Sequence, residues 1–294
     1  MSFKLFIYYC ALLGGWAAFL AWGLVQLTIR GHLSPIPYAC LTGGILGLLV
    51  AGAIGAVDAV LNAVGSQRII RVLICLGIGL IGGTVSALIG EFLHSFLHFP
   101  VVVGWILVGI CVGASIGVFD LLRAVRAKQE LRMPMKKTLN GIYGGFLGGF
   151  LGGLPFGLLM GNAKIPRSDL AISLVILGLC IGLFVGLAQV FLKEAWLKVA
   201  QGFRAGRELL LAKDETTIGR AESCDLGIFG DNTIERLHAR ILLKNNRYLL
   251  ADAETPGGTF LNDEPVTKPT PLTSGDVIRV GNSVLEFGER QKRK

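Results

Sequence analysis

Charge is what this chain has least of. Only 16% of its 294 residues are Asp, Glu, Lys or Arg, against about a quarter in soluble domains, and the shortage is uneven. Residues 1–205 hold 15 Lys/Arg and 6 Asp/Glu, whereas residues 206–294 hold 13 and 14. The net charge of +8 therefore arises in the first part, in short stretches between apolar runs. That pattern is topological information and argues against a nucleic-acid-binding face. Paired cysteines are also lacking. Five of the six (Cys10, Cys40, Cys75, Cys111 and Cys180) lie inside apolar runs, Cys224 stands apart, and no two have metal-ligand or redox spacing. They read as small buried hydrophobes. An activated nucleophile, paired carboxylates in a credible cleft and a phosphate-binding loop are missing as well. The Gly-rich runs have no strand before them, as a dinucleotide site would require. The expectation is a non-enzyme with no catalytic residue, cofactor or metal. No small-residue cleavage site ends the first apolar run, which is too long for a signal-peptide core.

Long apolar runs are what the chain has in quantity, with 52% hydrophobic residues and 41 Gly. A bilayer core needs about 20 apolar helical residues to cross. Six segments qualify: residues 5–29, 38–64, 69–97, 101–122, 139–160 and 170–192. Six spans put both ends of this region on one side. Twelve basic residues fall there: Lys4, Arg68, Arg71, Arg123, Arg126, Lys128, Arg132, Lys136, Lys137, Lys193, Lys198 and Arg204. Only Arg30, Lys164 and Arg167 fall on the other side. The bias predicts cytoplasmic N- and C-termini in a multi-pass protein of the cell (inner) membrane.

Glycine gives the packing. Gly141, Gly145, Gly149, Gly153 and Gly157 recur every fourth residue, with Gly144, Gly148 and Gly152 alongside. This zipper-like ridge predicts close backbone contact, within the bundle or in a homo-oligomer. A repeat also emerges: Ala51-x-x-x-Gly55-x-x-Asp58, Gly113-x-x-x-Gly117-x-x-Asp120 and Gly182-x-x-x-Gly186-x-x-Gln189. It suggests three two-helix units around a pseudo-threefold axis. Asp58 and Asp120 read as structural polar contacts, with Arg123 one turn beyond Asp120 as its partner. No conspicuous intramembrane charge network is evident. Glu91, His94 and His98 share one helical face, which reads as a solvated helix end more than a metal site.

Residues 193–200 read as a continuation of the sixth helix, anchored at the headgroups by Trp196. After a linker at 201–206 the pattern switches to short alternating runs at 239–243, 247–251, 277–280 and 283–287, separated by Gly, Asn, Asp and Pro. That spacing predicts an antiparallel β-sandwich over 207–290, followed by a basic tail at 291–294. The fold class is thus a six-span helical membrane domain (1–200) with an all-β sandwich behind it.

Five pieces of this module occur in order. They are Thr217-Ile218-Gly219-Arg220, Cys224 to Ile228, Asp231 to Ala239 (which contains Glu235-Arg236-Leu237-His238), Gly258-Thr259-Phe260-Leu261-Asn262, and Leu272 to Ile278. Together they resemble the forkhead-associated (FHA) family of phosphothreonine-docking sandwiches. The resemblance implies that Arg220 contacts phosphate and that His238 buttresses the loop. It implies that Gly219, Gly258 and Asn262 shape turns, and that Arg220, Glu235, Arg236, Gly257, Gly258, Thr259 and Asn262 occupy phosphopeptide-site positions. Two positions depart from the family. Glu235 stands where the family has a phosphate-binding Ser, and Gly257 where it has a peptide-gripping Asn. An ionised carboxylate cannot donate to phosphate and repels it, so Glu235 is expected to pair with Arg220. Thr233 and Thr255 lie near enough to supply hydroxyls. The function expected is a membrane adaptor that docks a cytoplasmic protein, with a phosphothreonine protein of a Ser/Thr kinase pathway as the implied partner. The rival is a transporter or channel regulated by the module.

Overall fold

The computed structural model describes residues 3–28, 34–62, 67–126, 131–160, 167–191, 195–202, 205–211, 215–244 and 247–290. Arg30, Lys128, Lys164, Lys193, Arg204, part of the expected linker and the tail 291–294 lie outside the described residues. Six helices come first: α1 (Phe3–Thr28), α2 (Pro35–Asn62), α3 (Gln67–Leu97), α4 (Val102–Arg126), α5 (Arg132–Met160) and α6 (Arg167–Phe191). Among the described residues, five of them are long and apolar enough to cross a membrane. The remaining one, α5, is 29 residues long and, with its many glycines, the least apolar of the six.

The helices form a ring in which each packs on its chain neighbours and α1 closes against α6, while α2, α4 and α6 also meet inside. Glycine sets the closest approaches. A Cβ added at Gly47 would overlap Gly79 O, one at Gly113 would overlap Gly141 O, and one at Gly14 would overlap Gly178 O. The tight pairs are therefore α2 with α3, α4 with α5, and α6 with α1, one helix out of step with the repeat units read from sequence. Both glycine rows of α5 are used inside the bundle. Gly141, Gly145 and Gly149 face α4, whereas Gly144, Gly148 and Gly152 face Phe184, Ile181 and Leu177 of α6. With little side chain in the way, backbones approach closely and gain dispersion contacts.

Opposite to expectation, the bundle does contain a charge network. Arg71 on α3 donates to Asp58 on α2 (2.8 Å) and to Asp120 on α4 (2.5 Å). Lys137 on α5 reaches the same two carboxylates at 3.1 and 2.9 Å. All four side chains are buried. Asp120 is thus not the partner of Arg123, whose guanidinium instead donates to Gln67 Oε1 at 3.2 Å. Helical direction explains this. Asp120 faces the ring interior, and the bases that meet it come from neighbouring helices at the depth of the glycine contacts. Gln189 of α6 holds the third repeat position and donates to the Lys137 carbonyl at 2.9 Å. Gly186, three residues before Gln189, lies against Cys10 and Ile7 of α1. Two acids meet two bases, and the third repeat position is filled by the neutral Gln189.

Glu91, His94 and His98 do not form a cluster. Glu91 accepts from Ser95 Oγ (3.1 Å), and His94 Nδ1 is bonded to Phe99 O (2.9 Å). His98 lies past the helix end in the left-handed region, with φ 57°. Among the described residues no group of side chains is arranged to hold a metal ion.

Eleven strands follow: β1 (Ala195–Gln201), β2 (Glu208–Leu210), β3 (Glu215–Gly219), β4 (Leu226–Gly227), β5 (Ala239–Lys244), β6 (Arg247–Asp252), β7 (Thr259–Leu261), β8 (Glu264–Pro265), β9 (Thr270–Pro271), β10 (Val277–Val280) and β11 (Ser283–Glu289). They make two sheets, ordered β2-β1-β11-β10-β7-β8 and β4-β3-β5-β6-β9. Ile218, Ile241, Leu250, Ile278, Leu285 and Phe287 fill the space between them. The interfacial helix expected at 193–200 is instead a strand from Ala195. Ala195, Leu197 and Val199 point inward and Lys198 outward, a period of two that helical geometry cannot satisfy. Trp196 packs on the helical core, but from a strand.

The sandwich is tied to the bundle at one end. The Phe3 amide donates to Glu208 Oε2 at 2.7 Å, and Arg290 Nη1 donates to the Phe191 carbonyl at 2.9 Å. Met133 of α5, one helical turn before Lys137, packs into the sandwich core. Strand β1 leaves this end at Ala195 beside Glu289 and arrives at Gln201 beside Val284. The β10–β11 turn therefore lies at the far end.

Candidate functional site

The far end is where the loops named by the sequence converge. Strand β3 ends at Gly219, where a Cβ would overlap Arg236 O and crowd Leu237 Cα. The missing side chain lets two loops zip together, with Arg220 N donating to Glu235 O (2.8 Å) and Ala221 N to Arg236 O (3.0 Å). His238, fully buried at 0% exposure, joins a third loop. Its Nδ1 accepts from the Glu235 amide at 3.1 Å, so Nε2 carries the proton and faces Gly258 O at 3.1 Å. The buttress expected of this histidine is present, and it is a neutral tautomer bridging two backbones. Gly258 has φ +64°, a conformation open to glycine at no steric expense.

Two carboxylates secure the frame. Asp231 accepts from Thr233 Oγ1 (2.5 Å), from Thr233 N (2.9 Å) and from Asn282 N (2.9 Å), tying its loop to the β10–β11 turn. The Thr233 hydroxyl, helped by those amides, holds the Asp231 carboxyl below the usual carboxylate range. Partial burial opposes ionisation of Asp252, but the hydroxyls of Thr259 and Thr255 and the Thr255 amide outweigh it, and its pKa is lowered. Thr233 and Thr255 therefore have their hydroxyls committed to Asp231 and Asp252.

Arg220 stands at the centre with its side chain exposed, donating, among the described residues, only a long 3.4 Å contact to Asn232 Oδ1. The expected pairing with Glu235 is not formed. Both backbone groups of Glu235 are fixed inward, to His238 and to the Arg220 amide, which leaves its side chain in solvent. Arg236 and Gly257 are exposed at the same end. Two other expected positions lie elsewhere. Thr259 is buried and donates to Asp252 Oδ1 (2.5 Å). Asn262, with φ +50°, latches β7 to β10 through Asp276 Oδ1 (3.0 Å) and the Val277 amide (2.9 Å). The exposed end thus gathers Arg220, Glu235, Arg236, Gly257 and Gly258. It adds Asn232, which sequence reasoning quoted within the motif but gave no role. A planar guanidinium held by its backbone and free at its tip is suited to bidentate contact with phosphate oxygens.

The family comparison agrees with this geometry, matching the FHA domain over residues 216–281. Residues 216–281 are an FHA domain. Among curated relatives, glycogen accumulation regulator GarA of Mycobacterium tuberculosis is 36% identical over 94 residues, covering 32% of this chain and 57% of GarA. The oxoglutarate dehydrogenase inhibitor of Corynebacterium glutamicum is 32% identical over 94 residues, covering 32% of this chain and 64% of the inhibitor. The chain thus spans little more than half the length of the first of these, through its FHA domain. A solved FHA domain studied for phosphothreonine-dependent interactions is 29% identical, covering 34% of this chain and all of that one, with TM-score 0.31. The FhaA FHA domain, complexed with the intracellular domain of a second protein, is 30% identical, covering 32% of this chain and 98% of that one, with TM-score 0.29.

Proposed function

We propose that this protein is a non-catalytic membrane adaptor whose FHA domain docks a phosphothreonine segment of a cytoplasmic protein in a Ser/Thr kinase pathway. One observation carries the reading: Arg220 is exposed, unpaired with Glu235, and set at the end of the sandwich farthest from the helices. A ligand reaching it meets no part of the bundle. Glu235 remains a repulsive neighbour for a phosphate of about −2 charge, so recognition rests on Arg220 with help from Arg236 and Asn232. The test is titration of a phosphothreonine peptide library onto the full chain in detergent by fluorescence polarisation. Saturable binding, lost on removing the phosphate and in Arg220→Ala, supports the reading. Equal binding of phosphorylated and unphosphorylated peptides overturns it.

The membrane placement is part of the proposal. Four bases drop out of the topological count, because Arg71 and Lys137 are buried against carboxylates and Lys198 and Arg204 belong to the sandwich region. Eight against three remain, still favouring a cytoplasmic FHA domain. Single cysteines at Arg126 and at Lys164, on a background lacking the native ones, test it in intact cells. An impermeant thiol reagent is expected to label position 164 and spare 126, and the reverse pattern refutes the orientation.

A further inference from the structure

At the end of the bundle remote from the FHA domain a cavity of about 350 Å³ opens between the helices. Its wall comes from the first turns of α2 (Tyr38, Thr42) and α4 (Trp105) and the last turns of α3 (Glu91, His94), with Phe156 and Leu174 behind them. The volume lies in the range of small-molecule sites, which join an apolar wall to a few placed polar groups. Below it the buried side chains Val50, Ile54, Val112, Ile116 and Ile181 close the axis. The cavity is therefore a blind pocket, cut off from the Asp58–Arg71–Asp120–Lys137 ring.

Among the described residues, two atoms of its wall have no partner. The hydroxyl of Thr42, a residue only 8% exposed, makes no hydrogen bond, and neither does the indole Nε1 of Trp105. The other three helical threonines show what Thr42 forgoes. Thr28, Thr84 and Thr138 each return their hydroxyl to the carbonyl four residues back, at 2.7, 2.7 and 3.0 Å. That bond is the default for a helical threonine away from water. A buried hydroxyl left without it bears its full desolvation penalty, so an unpartnered Thr42 and an unpartnered Trp105 on one cavity wall mark a place prepared for a ligand.

The chemistry of the two groups specifies that ligand. An indole N–H donates and cannot accept, so the ligand must bring an acceptor oxygen. Glu91 lines the cavity, and among the described residues the only basic side chain of its wall, His94, has its Nδ1 engaged with Phe99 O. A carboxylate or phosphate would meet repulsion from Glu91 there. We propose that this cavity binds an uncharged amphiphile through a carbonyl oxygen, which accepts from Trp105 Nε1 and Thr42 Oγ1 while its apolar body lies along Phe156 and Leu174. Both acyl esters and lipid-soluble quinones carry that chemistry.

Equilibrium binding of tritiated probes to the full chain in dodecyl maltoside, a detergent without a carbonyl, tests this. The probes are lauroyl monoglyceride, decyl benzoquinone and, as the carbonyl-free control, dodecane. At least one carbonyl probe is expected to saturate at one per chain, with dodecane at least about tenfold weaker, and the one that binds tighter identifies the source. Thr42→Val keeps the shape and is expected to weaken binding about fivefold, the scale of one hydrogen bond. Ala39→Phe fills the cavity and is expected to abolish saturation, with size-exclusion elution confirming that each variant stays folded. Dodecane binding as tightly as the carbonyl probes, failure of every probe to saturate, or unchanged affinity in both Thr42→Val and Trp105→Phe overturns the proposal.

Discussion

The bundle and the FHA domain treat charge in opposite ways. In the bundle, Asp58, Arg71, Asp120 and Lys137 are all buried and matched, two of each sign. In the FHA domain the cation of the proposed site, Arg220, stands in water with one long contact. Burial makes the first set expensive to disturb, because removing one member strands an uncompensated charge. Exposure makes the second set weak in stability and available for binding. The difference teaches where function is carried: a matched buried set fixes helices, whereas an unmatched exposed group waits for a partner.

The largest effect is expected where the comparison itself would collapse, at the boundary between the halves. Strand β1 pairs with β2 on one side and β11 on the other. A fragment starting at residue 206 lacks it and is expected not to fold, whereas one starting at 195 gives a dispersed amide NMR spectrum. Well-dispersed spectra from both would show that β1 is dispensable. Next comes the charge ring. Arg71→Met leaves two carboxylates facing Lys137 alone and is expected to destabilise by about 3–5 kcal/mol, read as a lowered thermal midpoint in detergent. The pair Asp58→Asn with Lys137→Met removes one charge of each sign and should lose less. Equal losses would mean that the four groups are not coupled.

A smaller effect is expected from the glycine contacts. Gly149→Leu drives a side chain into Trp105 O and Ile106 Cα and should destabilise by about 1–3 kcal/mol. Gly77→Leu, with open space around it, should be neutral, and similar losses at both positions would remove close packing as the cause. The smallest effect sharpens the exposed side of the comparison. Glu235→Ser with Gly257→Asn removes a repulsive charge and restores one donor to the phosphate and one to the peptide backbone, a typical net hydrogen bond being worth about 0.5–1.5 kcal/mol. Phosphothreonine affinity should rise about tenfold or more, measured by fluorescence polarisation. No gain would show that Glu235 already lies clear of the ligand.

Much of the fold was legible because two periodicities are strong. Helical runs of the required length fix α1 to α6, and alternation with Gly and Asn turns fixes β5, β6, β10 and β11. The FHA motifs likewise pointed to the loops that carry Arg220, Gly219 and His238. Two things escaped. Strand β1 escaped because Trp196 flanked by lysines mimics an interfacial helix end, and seven residues are too few for periodicity to decide. The charge ring escaped because its bases, Arg71 and Lys137, sit where the sequence shows ordinary loop-proximal cations. Only the register of the glycine contacts brings each to its carboxylate. That register was in reach: Gly55-x-x-Asp58 and Gly117-x-x-Asp120 mark the acid sides, but the partners lie on other helices. At the site, Thr259 and Asn262 were assigned by position in a motif, whereas hydrogen bonding assigns them to the frame.

The closure of α1 against α6 bears on how the protein is made. Ribosomal synthesis delivers α1 first, yet the helix whose glycines match it arrives five helices later. Until then α2 is its only ring neighbour. Gln189, the neutral member of the three repeat positions, belongs to this late-closing seam. The FHA domain follows immediately, and its bonds from Glu208 to Phe3 and from Arg290 to Phe191 fall on the two helices of that seam. Folding of the β-sandwich thus ties together α1 and α6, the two helices of that seam.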